Sequence, residues 1–323
     1  MNRWDAVLAL LALGASPLAA RAQQTGKIPV VGIVLQAPTN LSYEIVRQGL
    51  RELGYVEGKT LTIEARFWGG LTVRLPELVE GLVRLKPDVI VVGTAPAIRA
   101  VMQATSSIPI VFLGVGGDPV ALGLVPSLAR PGGNVTGFTH MANELGGKQV
   151  QLLKETVPGI SHLGVLINPS NPNMNYFGDI EVAAQKLGVK AIRVEARETT
   201  DFEPAFANVA LNPRSAMFVA ADALFSVHSA PIAALALRYR LPSVFSFAAD
   251  AQAGGLLSYG PNLADHYRGV APYVDKILKG AKASDLPVQR PVRFELIVNL
   301  KTAKALGIKI PQPVLIFTDR VIE

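Results

Sequence analysis

Val31-Gly32-Ile33-Val34-Leu35, a helical run ending at Leu53-Gly54-Tyr55, and then Leu61-Thr62-Ile63-Glu64 open a pattern that the chain repeats. In mid-chain it returns as Leu163-Gly164-Val165-Leu166-Ile167, a helical run ending at Leu187-Gly188-Val189, and Ala191-Ile192-Arg193-Val194-Glu195. The echo goes on. Val89 to Thr94 corresponds to Ala216 to Ala221, Ile108-Pro109-Ile110-Val111-Phe112 to Leu241-Pro242-Ser243-Val244-Phe245, and Gly132 to Gly137 to Gly254 to Gly260. Order and spacing are kept throughout, so the chain reads as two similar α/β lobes with a cleft between them.

Working outward, the strand-like runs Val30 to Leu35, Val89 to Val92, Ile110 to Leu113, Leu163 to Ile167 and Ala216 to Val219 are short, rich in β-branched residues and almost continuously apolar. That pattern fits parallel strands buried on both faces. Between them, Tyr43-Val46-Leu50-Leu53, Leu75-Leu78-Val79-Leu82-Leu85 and Leu145-Gln149-Leu152-Leu153 recur at helical spacing. Alternating strands and helices imply right-handed crossovers and a Rossmann-like, doubly wound parallel sheet in each lobe. The expected division is a signal peptide at 1–22, lobe one at 23–139 plus about 261–282, and lobe two at 140–260 plus about 283–323. A helix from Ala264 to Leu278 returns to lobe one, Ala283 to Gln289 is a linker, and a strand from Phe294 to Val298 joins lobe two. The chain then crosses between lobes about three times, which makes a multi-strand hinge.

The leader reading rests on Arg3, an apolar run from Ala6 to Ala15, the break at Pro17 and the Ala20-Arg21-Ala22 cleavage pattern. The apolar run is too short to cross a hydrocarbon core of ~30 Å. The competing reading is an N-terminal membrane anchor. The chain has no cysteine, which excludes a disulfide scaffold, a thiolate metal site, a catalytic thiol and a lipoprotein anchor. The expectation is a soluble periplasmic protein, monomeric, meeting a membrane only through a partner. The net charge is +6. The basic clusters at Lys276 to Lys282 and Lys301 to Lys309 sit on amphipathic helices, where a solvated face is favoured over a nucleic-acid patch.

Open parallel sheets bind ligands at the carboxyl ends of their strands. Those ends carry Gln36, Thr94-Ala95-Pro96 and Asp118 in lobe one, and Asn168, Asp222 and Ser246-Phe247 in lobe two. Pro96 suits the first turn of a helix, whose free N–H groups, together with Thr94 and Ala95, would donate to a ligand carboxylate. Asp222 either pairs with a ligand ammonium or caps the helix beginning near Leu224; Asp118 has the same choice before Pro119. Tyr176, Phe225, Phe247 and Tyr259 are either walls of the cleft or core residues.

Signals of catalysis are missing. There is no G-x-S-x-G or H-E-x-x-H, and Gly114-Val115-Gly116-Gly117 lacks the third glycine of a dinucleotide fingerprint. His140, His162, His228 and His266 are far apart in sequence without metal-ligand spacing, and are expected in surface or hinge packing. No acidic pair suits acid–base work. No catalytic residue, metal or cofactor is therefore assigned, and the protein is expected not to be an enzyme.

Ile108-Pro109-Ile110-Val111-Phe112, Gly117-Asp118-Pro119-Val120, Gly123-Leu124-Val125 and Leu128-Ala129-Arg130-Pro131-Gly132-Gly133-Asn134-Val135-Thr136-Gly137 together resemble a family of ABC transporter substrate-binding proteins with tryptophan- and tyrosine-binding members. Ile277-Leu278-Lys279-Gly280, Leu286-Pro287 and Asn299-Leu300-Lys301-Thr302-Ala303-Lys304-Ala305-Leu306-Gly307 extend the likeness, which covers Lys27 to Glu323. The resemblance implies a type I periplasmic binding protein fold and permease and ATPase partners, and Gly93-Thr94-Ala95-Pro96-Ala97 fits the family's ligand-carboxylate loop. The expected role is to bind a small carboxylate-bearing ligand, an aromatic or apolar amino acid, and close on it for import. A periplasmic sensor of the same fold is the alternative. A repressor effector domain is opposed by the leader and by the lack of an N-terminal helix-turn-helix.

Overall fold

The computed structural model describes residues 27–38, 41–69, 71–171 and 176–323. The leader assigned to 1–22 lies outside the described residues. Two sheets organise the rest. The first contains β1 (Val30–Leu35), β2 (Thr62–Phe67), β3 (Val89–Val92), β4 (Ile110–Phe112) and β5 (Val135–Gly137) in the order β2-β1-β3-β4-β5. Every pairing in it is parallel. Its crossover helices are α1 (Leu41–Glu52), α2 (Leu75–Arg84) and α3 (Ala95–Ala104).

The second sheet follows α4 (Gly146–Thr156). Its elements are β6 (His162–Ile167), α5 (Tyr176–Lys186), β7 (Lys190–Glu195), α6 (Phe202–Ala210), β8 (Ser215–Val219), α7 (Ala223–Val227), α8 (Ser229–Arg238), β9 (Ser243–Phe245), α9 (Ala248–Gln252) and β10 (Leu257–Pro261). Then come α10 (Leu263–Arg268), α11 (Val270–Leu278), β11 (Phe294–Asn299), α12 (Leu300–Leu306), α13 (Gln312–Ile316) and β12 (Arg320–Ile322). The strand order is β12-β11-β10-β9-β8-β6-β7. Its β7-β6-β8-β9-β10 part reproduces the order of the first sheet, so the sequence echo is a repeated βαβ unit. β11 is antiparallel to β10 and extends the sheet beyond the repeat.

The continuous apolar runs have a simple cause. Val31, Ile33 and Leu35 point to one face of β1, where they pack with Val46 and Leu50 of α1 and with Val270, Val274 and Ile277 of α11. Val34 points to the other face and meets Leu75, Val79 and Leu82 of α2. Sheet two is likewise covered on both faces, by α4 and α5 on one side and by α6 and α8 on the other.

After β10 the helical stretch is broken in two, where one helix from Ala264 to Leu278 was expected. The break is at Gly269, where a Cβ would lie 2.6 Å from the Phe138 ring. A residue without a side chain lets the chain leaving β5 run directly against the helix junction. The returning segment follows the same track. Gln289 N–H donates to Gly137 O at 2.9 Å and Thr139 N–H donates to Gln289 O at 2.9 Å. Leu286 and Val288 pack into the two cores of sheet one, so the return to sheet two falls between Gln289 and β11. Three chain passages thus link the sheets: after β5, after β10 and before β11.

Candidate functional site

The candidate residues sit on strand-to-helix turns at the carboxyl ends of both sheets. In sheet one, Gln36 follows β1 half-buried, and its carbonyl accepts Gly69 N–H at 2.9 Å. Thr94, between β3 and α3, is the most unusual of them. Its backbone has φ 68° and ψ 142°, a region that a β-branched residue occupies only under strain of order 1–3 kcal/mol. Its carbonyl accepts Ile98 N–H at 3.0 Å, while its buried hydroxyl has no partner. Ala95 is buried beside it and Pro96 occupies the first turn. The first N–H groups of any helix lack intrahelical acceptors, so the α3 start presents donors and a partial positive charge. Asp118 is exposed, and its Oδ1 accepts Val120 N–H at 2.9 Å in a local turn, with no helix beginning there among the described residues.

In sheet two, Asp222 is buried at the end of β8. Its Oδ1 accepts Leu224 N–H at 2.8 Å, capping α7, and Asn168 Nδ2 at 3.2 Å. Its Oδ2 accepts Asn171 Nδ2 at 2.7 Å. A carboxylate has about four acceptor sites, and among the described residues three donors reach Asp222. Asn168 is held in turn, its Oδ1 accepting Ser170 N–H at 2.9 Å. Asp222 and Asn168 are therefore brought together, with Asn171 of the same polar run after β6.

The four aromatic candidates separate. Phe225 is 2% exposed and packs edge-on to Phe202 in the core of sheet two, which is the core alternative. Tyr259 is half-buried and stacks on Phe294 with ring centroids 6.2 Å apart. Phe247 is half-buried between β9 and α9 and lies edge-on to His140 at 5.6 Å. Tyr176 opens α5, and its side chain lies outside the described residues.

Two of the histidines, far apart in sequence, meet beside the chain passages. His140 and His266 have ring centroids 5.2 Å apart. They are 126 positions apart in the chain, and no local pattern announces their meeting; only the return of α10 to sheet one creates it. Two further buried polar groups went unmarked. Gln149 on α4 donates to Tyr259 O at 2.7 Å while its Oε1 has no partner. Asp250 accepts Phe247 N–H at 3.2 Å, and burial pushes its carboxyl up to about 7. The only sequence signal was a polar residue on the buried stripe of an amphipathic helix for Gln149 and a carboxyl within an alanine-rich turn for Asp250. Among the described residues no group of three or more acidic or histidine side chains is placed to hold a metal. A groove of about 470 Å³ bordered by Ile160, Pro213, Arg214 and Arg240 lies at the amino-terminal edge of sheet two, away from all these turns.

Two mostly parallel sheets joined by three passages, with polar turns at their carboxyl edges, define the fold of periplasmic binding proteins. The chain belongs to the ABC transporter substrate binding protein family, whose model matches residues 27–322. A tyrosine-binding protein of Clostridioides difficile is 26% identical over 264 residues, covering 81% of this chain and 75% of its own. A conserved domain protein from Vibrio cholerae has a similar crystal structure, with TM-score 0.84 and 28% identity over 91% of this chain and 100% of its own. So does an ABC domain from Streptococcus pneumoniae solved with L-Trp, with TM-score 0.83 and 25% identity over 92% and 100%.

Proposed function

We propose that this protein is the solute-binding component of an ABC importer and takes an amino acid with an aromatic or apolar side chain. The observation that carries the reading is Thr94, a strained residue with an unpartnered hydroxyl at the start of α3. Strain of this kind persists where the surroundings hold it for a purpose, and a carboxylate is the partner that a hydroxyl and helix N–H groups together satisfy. Asp222 takes the ligand ammonium; Phe247 and Tyr259 supply apolar surface. Asn168 orients Asp222. The tyrosine-binding relative and the L-Trp complex support the same ligand class.

In this reading the division into lobes follows the three chain passages, at about 140, 261 and 290. The ligand bridges both lobes and favours whichever arrangement contacts it on both sides, a population shift that needs only better binding to the closed form. The closed form docks on a membrane permease driven by an ATPase. The protein is exported, acts in the periplasm as a monomer, and releases its ligand unchanged.

Calorimetry and thermal denaturation with the twenty amino acids test the proposal. L-tryptophan or L-tyrosine is expected to bind and raise Tm, and Thr94→Val to weaken that binding at least tenfold, about 1.4 kcal/mol. Failure of every amino acid to bind would refute the ligand class.

A further inference from the structure

The chain passages meet in a cluster of packed rings. His140 stands on the first passage, its N–H donating to Val115 O at 2.9 Å beyond β4. His266 stands on α10, whose neighbours Tyr267 and Val270 belong to the core of sheet one. Phe138 flanks His266 at 5.3 Å, and Tyr267 flanks His140 at 6.0 Å and His266 at 6.2 Å. The loop after β4 closes over the His140 ring at Gly114, where any Cβ would overlap the imidazole. These groups all ride with sheet one. Phe247, edge-on to His140, comes from the β9–α9 turn of sheet two. The cluster is therefore a contact across the passages, with the histidine pair on one side and a single phenyl ring on the other.

Both Nε2 atoms are buried without a hydrogen-bond partner. Burial, and secondarily the charge of His266, push His140 down to about 3, and burial pushes His266 down to about 4. The surrounding titratable groups offer no counter-charge. On the α10 side, Tyr267 is a buried phenol held above its usual range, and Asp265 pairs with Arg268 and Arg293. On the sheet-two side, Asp250 is bonded to Phe247 N–H, and burial favours its neutral form. On the β4 loop, Asp118 is exposed in its own turn.

We propose that the His140–His266 pair is a proton-sensitive latch on the interlobe arrangement: neutral, it seats Phe247 and holds the lobes as seen here; protonated, it releases Phe247 and the lobes move apart at that point. The proposal rests on the reading that the lobes move. A cation among phenyl rings and without a partner is costly, and the cost is relieved once water reaches the ring. Because both histidines bind protons more weakly in the seated arrangement, that arrangement is fully favoured above about pH 6.5 and loses favour as pH falls below it.

The chain has no cysteine, so Val73→Cys and Thr199→Cys, on the turns after β2 and β7, can carry one spin label each. Interlobe distances are read by pulsed resonance at pH 7.5 and 5.0, with far-UV circular dichroism confirming the fold. The wild-type ratio of the two arrangements is expected to change at least about tenfold between these pH values, since one proton with a depressed pKa suffices. The change is expected to vanish in His140→Phe/His266→Phe. No change in the wild type, or the same change in the double variant, overturns the latch. Should the double variant not fold, histidine C2–H titrations of the wild type decide: midpoints for His140 and His266 well below 6.5 support the latch, and ordinary midpoints near 6.5 overturn it. A separate arm adds L-tryptophan at pH 7.5. Movement with L-tryptophan but none with pH leaves lobe closure standing and removes the latch; movement with neither removes both.

Discussion

Thr94 and Asp222 show how single residues carry conflicting duties. Thr94 holds a backbone conformation that glycine would adopt freely. Thr94→Gly is therefore expected to relieve the strain and raise the unfolding free energy by about 1 kcal/mol, seen as a higher urea midpoint, while weakening amino-acid binding through loss of the hydroxyl. Equilibrium unfolding and calorimetry on one preparation check both signs. Asp222 caps α7 and gathers two asparagines. Asp222→Ala loses the cap and the acceptor of two half-buried asparagine amides, at a cost of about 2 kcal/mol, visible as a lower Tm without ligand. A Tm unchanged by that substitution would mean that the cap contributes nothing. In the sequence these duties appeared as alternatives; the structure shows the cap in place, and the ligand role is additional to it.

At the scale of elements, the dependence of sheet one on a distant helix is the main consequence of the topology. Val274 of α11 is fully buried against a core built from Val31, Ile33 and Leu50. Val274→Ala is expected to destabilise that sheet by about 2 kcal/mol. Exposed Leu211→Ala on sheet two is expected to change stability by less than about 0.5 kcal/mol. Hydrogen exchange localises the effect: faster exchange in β1 and β3, with β6 and β8 unaffected, is the expected pattern. Loss confined to α11 itself would contradict the packing argument. The strands and crossover helices of this unit were legible because burial on both faces leaves an unbroken apolar run. The interruption at Gly269 has a local signal in Pro272, which has no N–H to bond the Arg268 carbonyl; the approach of the Phe138 ring to Gly269 has none, since that ring lies 131 positions earlier.

For the whole molecule, stability depends on pH through two opposed effects. The histidine pair binds protons more weakly in the folded state, so its contribution is complete above about pH 6.5 and is lost as pH falls towards 4. Asp250 behaves oppositely. Its folded carboxyl titrates near 7 and its unfolded one near 3.8, so stability is lost as pH rises between those values. Each effect has a limiting slope of about 1.4 kcal/mol per pH unit and per proton. In Asp250→Asn the urea midpoint is expected to climb from pH 4.5 to 6.5. In His140→Phe/His266→Phe it is expected to fall from pH 4.5 to 7. Parallel profiles in the two variants would show that these buried groups do not govern the pH response.

The repeated α/β unit, the polar turns at the strand ends and the family likeness are all written locally, because strand burial, helix period and turn chemistry act over a few residues. Tertiary structure alone decided that Phe225 serves the core, that Asn171 joins Asn168 on Asp222, and that His140 meets His266 across the chain passages. Those outcomes depend on which distant segments share a surface, and no periodicity in the chain records that.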